Sequence, residues 1–397
     1  MITASTPDSA SPLATSSGVL HTLAARYRAE FPIFERCVYL NSCSLGALSR
    51  RSRARVNEYL DLWDSRGASA WYETWWAALA ELRDRYGALI HARQGSIALH
   101  PNVSGALGVV ASTLDYTHRP RVIVTSLDFP TIGYQWMAKA REGVEVVVLE
   151  SPDGIGVPLE MYERAVDDRT ALIATSHVFF TSGAIQDVPA LAGIAHRAGA
   201  LCLVDGYQAA GQLPVDVRAL DVDFYLSGGL KWLLGGTGVA FLYARPELAP
   251  TLHPSVTGWF AHREQFRFDS RALELHDDAR RLEAGTPPLM PVYAQLGGLD
   301  VLEEIGIPAV RAATAALTED LIALATAAGL APKVASHAEH RSAIVMLPSP
   351  DPAGDVRRLA DAGFIVDARP GHVRVSPYFY NVPDDHRALL ECLTDGR

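Results

Sequence analysis

Two short stretches decide the fold of this chain: Leu201-Cys-Leu-Val-Asp205-Gly-Tyr-Gln208 and Phe224-Tyr-Leu-Ser227-Gly-Gly-Leu-Lys231. Each opens as an apolar run and turns polar only where it meets glycine. A run of that length without polar alternation reads as a strand buried on both faces. Working outward, similar runs stand at Ile97–His100, Val122–Leu127, Val144–Leu149, Ala171–Val178 and Val239–Tyr243. Helical patterns fill the earlier gaps, at Ser104–Leu114, Thr131–Glu142, Leu159–Val166 and Val188–Ala198. Strands alternating with helices predict an α/β fold with a doubly wound, mainly parallel sheet of seven strands. The link Gly235-Gly-Thr-Gly238 is too short for a crossover helix, so one of the last two strands is expected to run antiparallel.

Before the sheet, Trp71, Trp75 and Trp76 sit on a helical pattern over Trp71–Ile90 and suit packing onto a domain or partner surface. After it, Phe266–Pro288 is charged and then rich in Gly and Pro. Helices are expected at Val292–Ile305 and Ala309–Ala327, and strands at Ser342–Leu347 and Val373–Val375. The expected organisation is an arm over 1–36, a large domain over 37–265 and a smaller α+β domain over 266–397.

The 397 residues carry 35 Lys plus Arg against 45 Asp plus Glu, a net charge of −10. That balance argues against nucleic acid or an acidic membrane as partner. Four cysteines, Cys37, Cys43, Cys202 and Cys392, lack the spacing of a metal cage or disulfide framework. With no long apolar run and no leader-like start, a cytoplasmic enzyme acting on a small molecule is expected. Lysine occurs only at 139, 231 and 333. Arginine stays protonated and cannot serve as an amine nucleophile, so a lysine kept at a strand end stands out.

In open parallel sheets, ligands bind beyond the carboxyl ends of the strands. Lys231 and Asp205 both fall there. A lysine flanked by glycines beside a strand-end carboxylate suits pyridoxal phosphate: Lys231 for the Schiff base, Asp205 to keep the ring nitrogen protonated. Pro101-Asn-Val103-Ser104-Gly105 opens a helix and offers a phosphate seat, and Phe129 is placed to stack on the ring. Taken singly, Asp205 is an ordinary strand-end residue, Ser104 an N-cap and Phe129 a core aromatic. Their order on successive strand ends carries the reading.

These residues, with Val38-Tyr-Leu-Asn41-Ser42-Cys43-Ser-Leu-Gly46, Asp128-Phe129-Pro-Thr131, Ser176-His-Val178 with Ser182-Gly183, and Gly258-Trp259-Phe-Ala-His262, resemble the class V, fold-type I pyridoxal-phosphate enzymes. That group includes kynureninase, cysteine desulfurase, isopenicillin N epimerase and related aminotransferases. The resemblance runs from Phe34 onward and is closest to the kynureninase-like members. It implies cofactor contacts from Val103, Ser104, Phe129, Ser182 and Ser227. Gln208, in a desulfurase-like setting, would partner the phenolic oxygen, and Trp259 would also touch the cofactor. Glu283-Ala-Gly-Thr286 resembles a segment reaching the phosphate of a second subunit, which implies a homodimer with shared sites. Asn41, Ser42 and Arg374 would meet the substrate, Arg374 gripping its α-carboxylate.

There are departures. Ile365-Val-Asp-Ala-Arg-Pro-Gly-His-Val373 holds no cysteine where desulfurases carry their catalytic thiol, so persulfide chemistry is not expected. Leu230 stands where kynureninases have a tyrosine. The resemblance implies Cβ-bond cleavage or elimination on an L-amino acid or conjugate, by way of a quinonoid, with Lys231 moving protons. Amino transfer, epimerisation and oxygen-linked decarboxylation in specialised metabolism stay open, as does an inactive scaffold of the same fold.

Overall fold

The computed structural model describes residues 23–395. The chain enters through a short strand β1 (Val38–Tyr39) and helix α1 (Arg50–Arg66), capped by the Ser49 side chain on the Ser52 N–H. α1 went unseen in the sequence because only Ser52 and Tyr59 on it are buried, too few to mark an apolar face. The tryptophan-rich segment opens as a π-helical turn, Trp71–Trp75, and continues as α2 (Trp76–Leu89).

Seven strands then form the central sheet: β2 (Ile97–His100), β3 (Arg121–Thr125), β4 (Glu145–Leu149), β5 (Thr170–Ser176), β6 (Leu201–Asp205), β7 (Phe224–Gly228) and β8 (Ala240–Ala244). Their order is β2-β8-β7-β6-β5-β3-β4. From β7 through β4 every pairing is parallel. Strand β8 runs antiparallel to both its neighbours, as the glycine-rich link requires.

Side chains alternate across the sheet with a period of two. Ile123, Ile173, Val204 and Tyr225 enter one core; Val122, Leu172, Leu203 and Phe224 enter the other. The second core is closed by α3 (Val103–Ala111) and α4 (Pro130–Met137). The first is closed by α2, α5 (Leu159–Ala165), α6 (Val188–Arg197) and α7 (Leu289–Ile305). Strands β3 and β5 end earlier than their apolar runs suggest. The buried Asp128 carboxylate takes the N–H groups of Thr125 (2.8 Å) and Ser176 (2.7 Å), replacing ladder partners at that edge.

The remaining chain builds a smaller layer from α8 (Ile307–Ala327), β9 (Val345–Pro348), α9 (Pro352–Asp361), β10 (Phe364–Ile365), β11 (Asp367–Arg369), β12 (His372–Val375) and α10 (Pro383–Thr394). Its antiparallel sheet runs β11-β12-β9. Packing crosses the expected division at residue 265 at several places. β1 pairs with β10, and α7 lies on the core of the large sheet. Among the described residues, no helix is long and apolar enough to cross a membrane.

Candidate active site

A cavity opens beyond the carboxyl ends of β5, β6 and β7. Lys231 and Asp205 line it together, with Val103, Ser104, Phe129 and Gln208. Asp205 closes β6 and is 7% exposed; its Oδ1 accepts the Tyr207 N–H at 2.8 Å. Burial raises its pKa, opposed by that hydrogen bond and by the charge of Lys231. Lys231 follows β7 in a loop. Its Nζ lies 4.5 Å from the centre of the Tyr207 ring and 5.9 Å from that of Phe129. Burial lowers its pKa to about 8; Cys43 and Asp205 oppose the shift, and Arg374 and Arg369 add to it. A lysine so placed yields its nucleophilic free amine at lower pH than an ordinary lysine.

The loop carrying Lys231 is held from three sides. The Gly46 N–H donates to the Leu230 carbonyl at 2.8 Å, and the Tyr378 hydroxyl donates to the Trp232 carbonyl at 2.9 Å. The Trp232 indole donates to Gln208 Oε1 at 2.8 Å, while Gln208 Nε2 donates to the Cys43 carbonyl at 3.0 Å. Gln208 therefore ties the Lys231 loop to the N-terminal loop at Cys43 and still faces the cavity.

At the opposite wall, α3 begins with Asn102, whose side chain accepts the Gly105 N–H at 2.8 Å. The Ser104 and Thr131 hydroxyls stand 3.4 Å apart there. Helix N–H groups and two hydroxyls make a phosphate seat. Phe129, 46% exposed, presents its ring to the same space. A buried carboxylate, a half-buried amine, an exposed aromatic face and an anion seat around one cavity fit pyridoxal phosphate.

Several expected residues do not line this cavity. Ser227 lies on the α2 face of β7, where its hydroxyl meets Tyr86 at 2.6 Å. Ser182 donates to the Ile155 carbonyl at 2.7 Å, and Ser42 is paired with the Tyr380 hydroxyl at 2.7 Å. Asn41 bridges to Ser376. Trp259 packs at the surface against Phe260, Phe266 and Phe268, and Thr286 is exposed.

Arg374 is buried behind the cavity on β12, within electrostatic reach of Lys231. It donates to the Phe180 carbonyl (3.0 Å), the Ser44 hydroxyl (2.6 Å) and Asp367 Oδ2 (2.7 Å). Asp367 faces it across the β11–β12 hairpin and also pairs with Arg369 at 2.9 Å. Burial works against the Asp367 charge. The Ser44 hydroxyl and the two guanidiniums outweigh it and hold the carboxyl below the usual carboxylate range. Asp367, Arg369, Ser44 and Tyr207 were missed from the sequence. Tyr207, between Asp205 and Gln208 at a strand end, was the one with a readable signal.

The Aminotransferase class-V family model matches residues 43–383. An uncharacterized aminotransferase of Bacillus subtilis (strain 168) is 33% identical over 372 residues, covering 93% of this chain and 97% of that protein. A kynureninase of Pseudomonas fluorescens is 30% identical over 362 residues, covering 87% of this chain and 85% of that protein. The solved complex of the cystine C–S lyase C-DES with cysteine persulfide has the same fold, with a TM-score of 0.84 at 21% identity over 92% of this chain and 99% of that one. A lysine-to-alanine variant of C-DES carries glycine covalently linked to its pyridoxal phosphate.

Proposed function

The chain belongs to the class V aminotransferase family, and we propose that it uses pyridoxal phosphate to cleave or eliminate at Cβ of an L-amino acid or amino-acid conjugate. The observation that carries the reading is the meeting of Lys231 and Asp205 in one cavity opposite the N-terminus of α3. Bound pyridoxal phosphate supplies an electron sink for bonds at Cα. The chain's own residues do the rest. Lys231 Nζ would hold the cofactor and would serve as the base that moves a proton at the substrate Cα. The Asp205 carboxylate would keep a proton on the ring nitrogen. The N–H groups of α3, with Ser104 and Thr131, would hold the phosphate. Phe129 would shield the cofactor from water, and Arg374 would orient the substrate α-carboxylate.

Support for the Cβ reading comes from kynureninase and the C–S lyase among the similar proteins. Support for a second reading, amino transfer, comes from the aminotransferase name of the Bacillus relative. One experiment separates them. The holoprotein is incubated with L-kynurenine or cysteine S-conjugates, with and without a 2-oxo acid. Alanine or pyruvate formed without the oxo acid supports Cβ chemistry; product that appears only with it supports amino transfer.

We also read the protein as a cytoplasmic homodimer. Tyr72 (75% exposed) and Phe268 (74% exposed) join Trp259 and Phe266 in an aromatic surface that a second copy would cover. Thr286, away from its own cavity, would then serve the partner's phosphate. Four free cysteines suit a reducing compartment.

A further inference from the structure

The charged groups behind Lys231 do not balance one for one. Two guanidiniums, Arg374 and Arg369, converge on a single carboxylate oxygen, Asp367 Oδ2, at 2.7 and 2.9 Å. Ser44 donates to that same oxygen at 2.9 Å. The Arg374 side chain is 2% exposed, whereas those of Asp367 and Arg369 are about a quarter exposed. Arg374 Nε is buried without a hydrogen-bond partner. Arg369 also sits 6.0 Å from the centre of the Phe180 ring, which lines the cavity. Counting charges, two cations and one anion leave one positive charge in the layer directly behind Phe180. That matches one α-carboxylate and no second anion.

We propose that Asp367 is the specificity-determining residue of the substrate pocket: by neutralising one of two guanidiniums, it selects amino acids with an uncharged side chain over acidic ones. This rests on the amino-acid reading above. The hairpin builds the device. The Pro370-Gly371 turn sets the register that places Asp367 opposite Arg374 and leaves Arg369 two residues further along the same strand. Without the carboxylate, a buried Arg374 and its neighbour would present two uncompensated charges, and a second anion would be drawn in.

The test is a titration of pyridoxal-phosphate-loaded protein with L-asparagine and with L-aspartate, which share a shape and differ in charge. Affinity is read from the change in visible absorbance of the bound cofactor. The wild-type protein is expected to bind asparagine more tightly. In Asp367→Asn the aspartate affinity should rise relative to asparagine by at least about tenfold, or about 1.4 kcal/mol. In Arg369→Gln, which removes a cation instead, the preference for asparagine should widen. Tighter aspartate binding by the wild type overturns the proposal, as does an unchanged ratio in either variant that still holds cofactor. If loaded wild-type protein responds to neither amino acid, the proposal for Asp367 falls; the amino-acid reading falls with it only if L-kynurenine and cysteine S-conjugates also leave the absorbance unchanged.

Discussion

Asp205 and Lys231 reach one cavity from the carboxyl ends of neighbouring parallel strands, and each shifts the ionisation of the other. The carboxylate favours the ammonium, and the ammonium favours the carboxylate, against a common burial penalty. Under the proposed function, the task of Asp205 once the amine holds the cofactor would be the ring nitrogen.

Replacing Asp205 with Asn keeps the shape and removes the charge. Cofactor binding should survive, while kcat falls roughly a hundredfold to a thousandfold, the scale of a lost preorganised electrostatic contact. Steady-state kinetics on the product assay check this; an unchanged kcat would remove Asp205 from the chemistry.

Capture of cofactor by the cofactor-free protein should depend on pH through Lys231. Its pKa is lowered to about 8, so the nucleophilic amine gains population as pH rises through that value. The capture rate, followed by absorbance, should therefore climb and level off above about pH 8. In Asp205→Asn an anion that favours the ammonium is gone, so the midpoint should move to lower pH. A midpoint that moves upward contradicts the coupling.

Gly46 lies against the lysine loop so closely that an added Cβ would stand 2.1 Å from the Lys231 carbonyl oxygen. Gly46→Ala must push that carbonyl aside. Thermal unfolding should show a loss of about 1–3 kcal/mol, the range for overpacking a tight site, together with slower cofactor loading. Equal stability and equal loading would show that the loop yields freely.

Arg374→Lys retains the charge but not the fork of donors that now serves Phe180, Ser44 and Asp367. The expected effect is a rise in KM of roughly tenfold to a hundredfold with a smaller change in kcat, as for the loss of one charge-assisted bond. A loss confined to kcat would place Arg374 elsewhere in the mechanism.

What was legible in the sequence follows from burial. Strands covered on both faces are written as unbroken apolar runs, so β6 and β7 and the polar residues ending them could be read directly. Lys231 stood out because the chain uses so few lysines. Ser227 shows the opposite case. The period of two in β7 turns it to the α2 side with Tyr225, where Tyr86 takes its hydroxyl, and no local pattern reports that. Asp367 was hidden for a related reason. Its pairing with Arg374 depends on hairpin register, which the small-domain sequence states only through the Pro370-Gly371 turn. The resemblance implies roles for Ser182 and Ser42 at the site, yet their hydroxyls pair with the Ile155 carbonyl and the Tyr380 hydroxyl, tertiary partners that no local pattern reports.

With lysines only at 139, 231 and 333, the covalent attachment point can be read without ambiguity. The protein is loaded with pyridoxal phosphate, reduced with borohydride, digested and examined by mass spectrometry. A pyridoxyl group on Lys231, lost in Lys231→Ala, is the expected result. The same group on Lys139 or Lys333 instead, or on none of the three, would contradict the assignment of this cavity as the catalytic site.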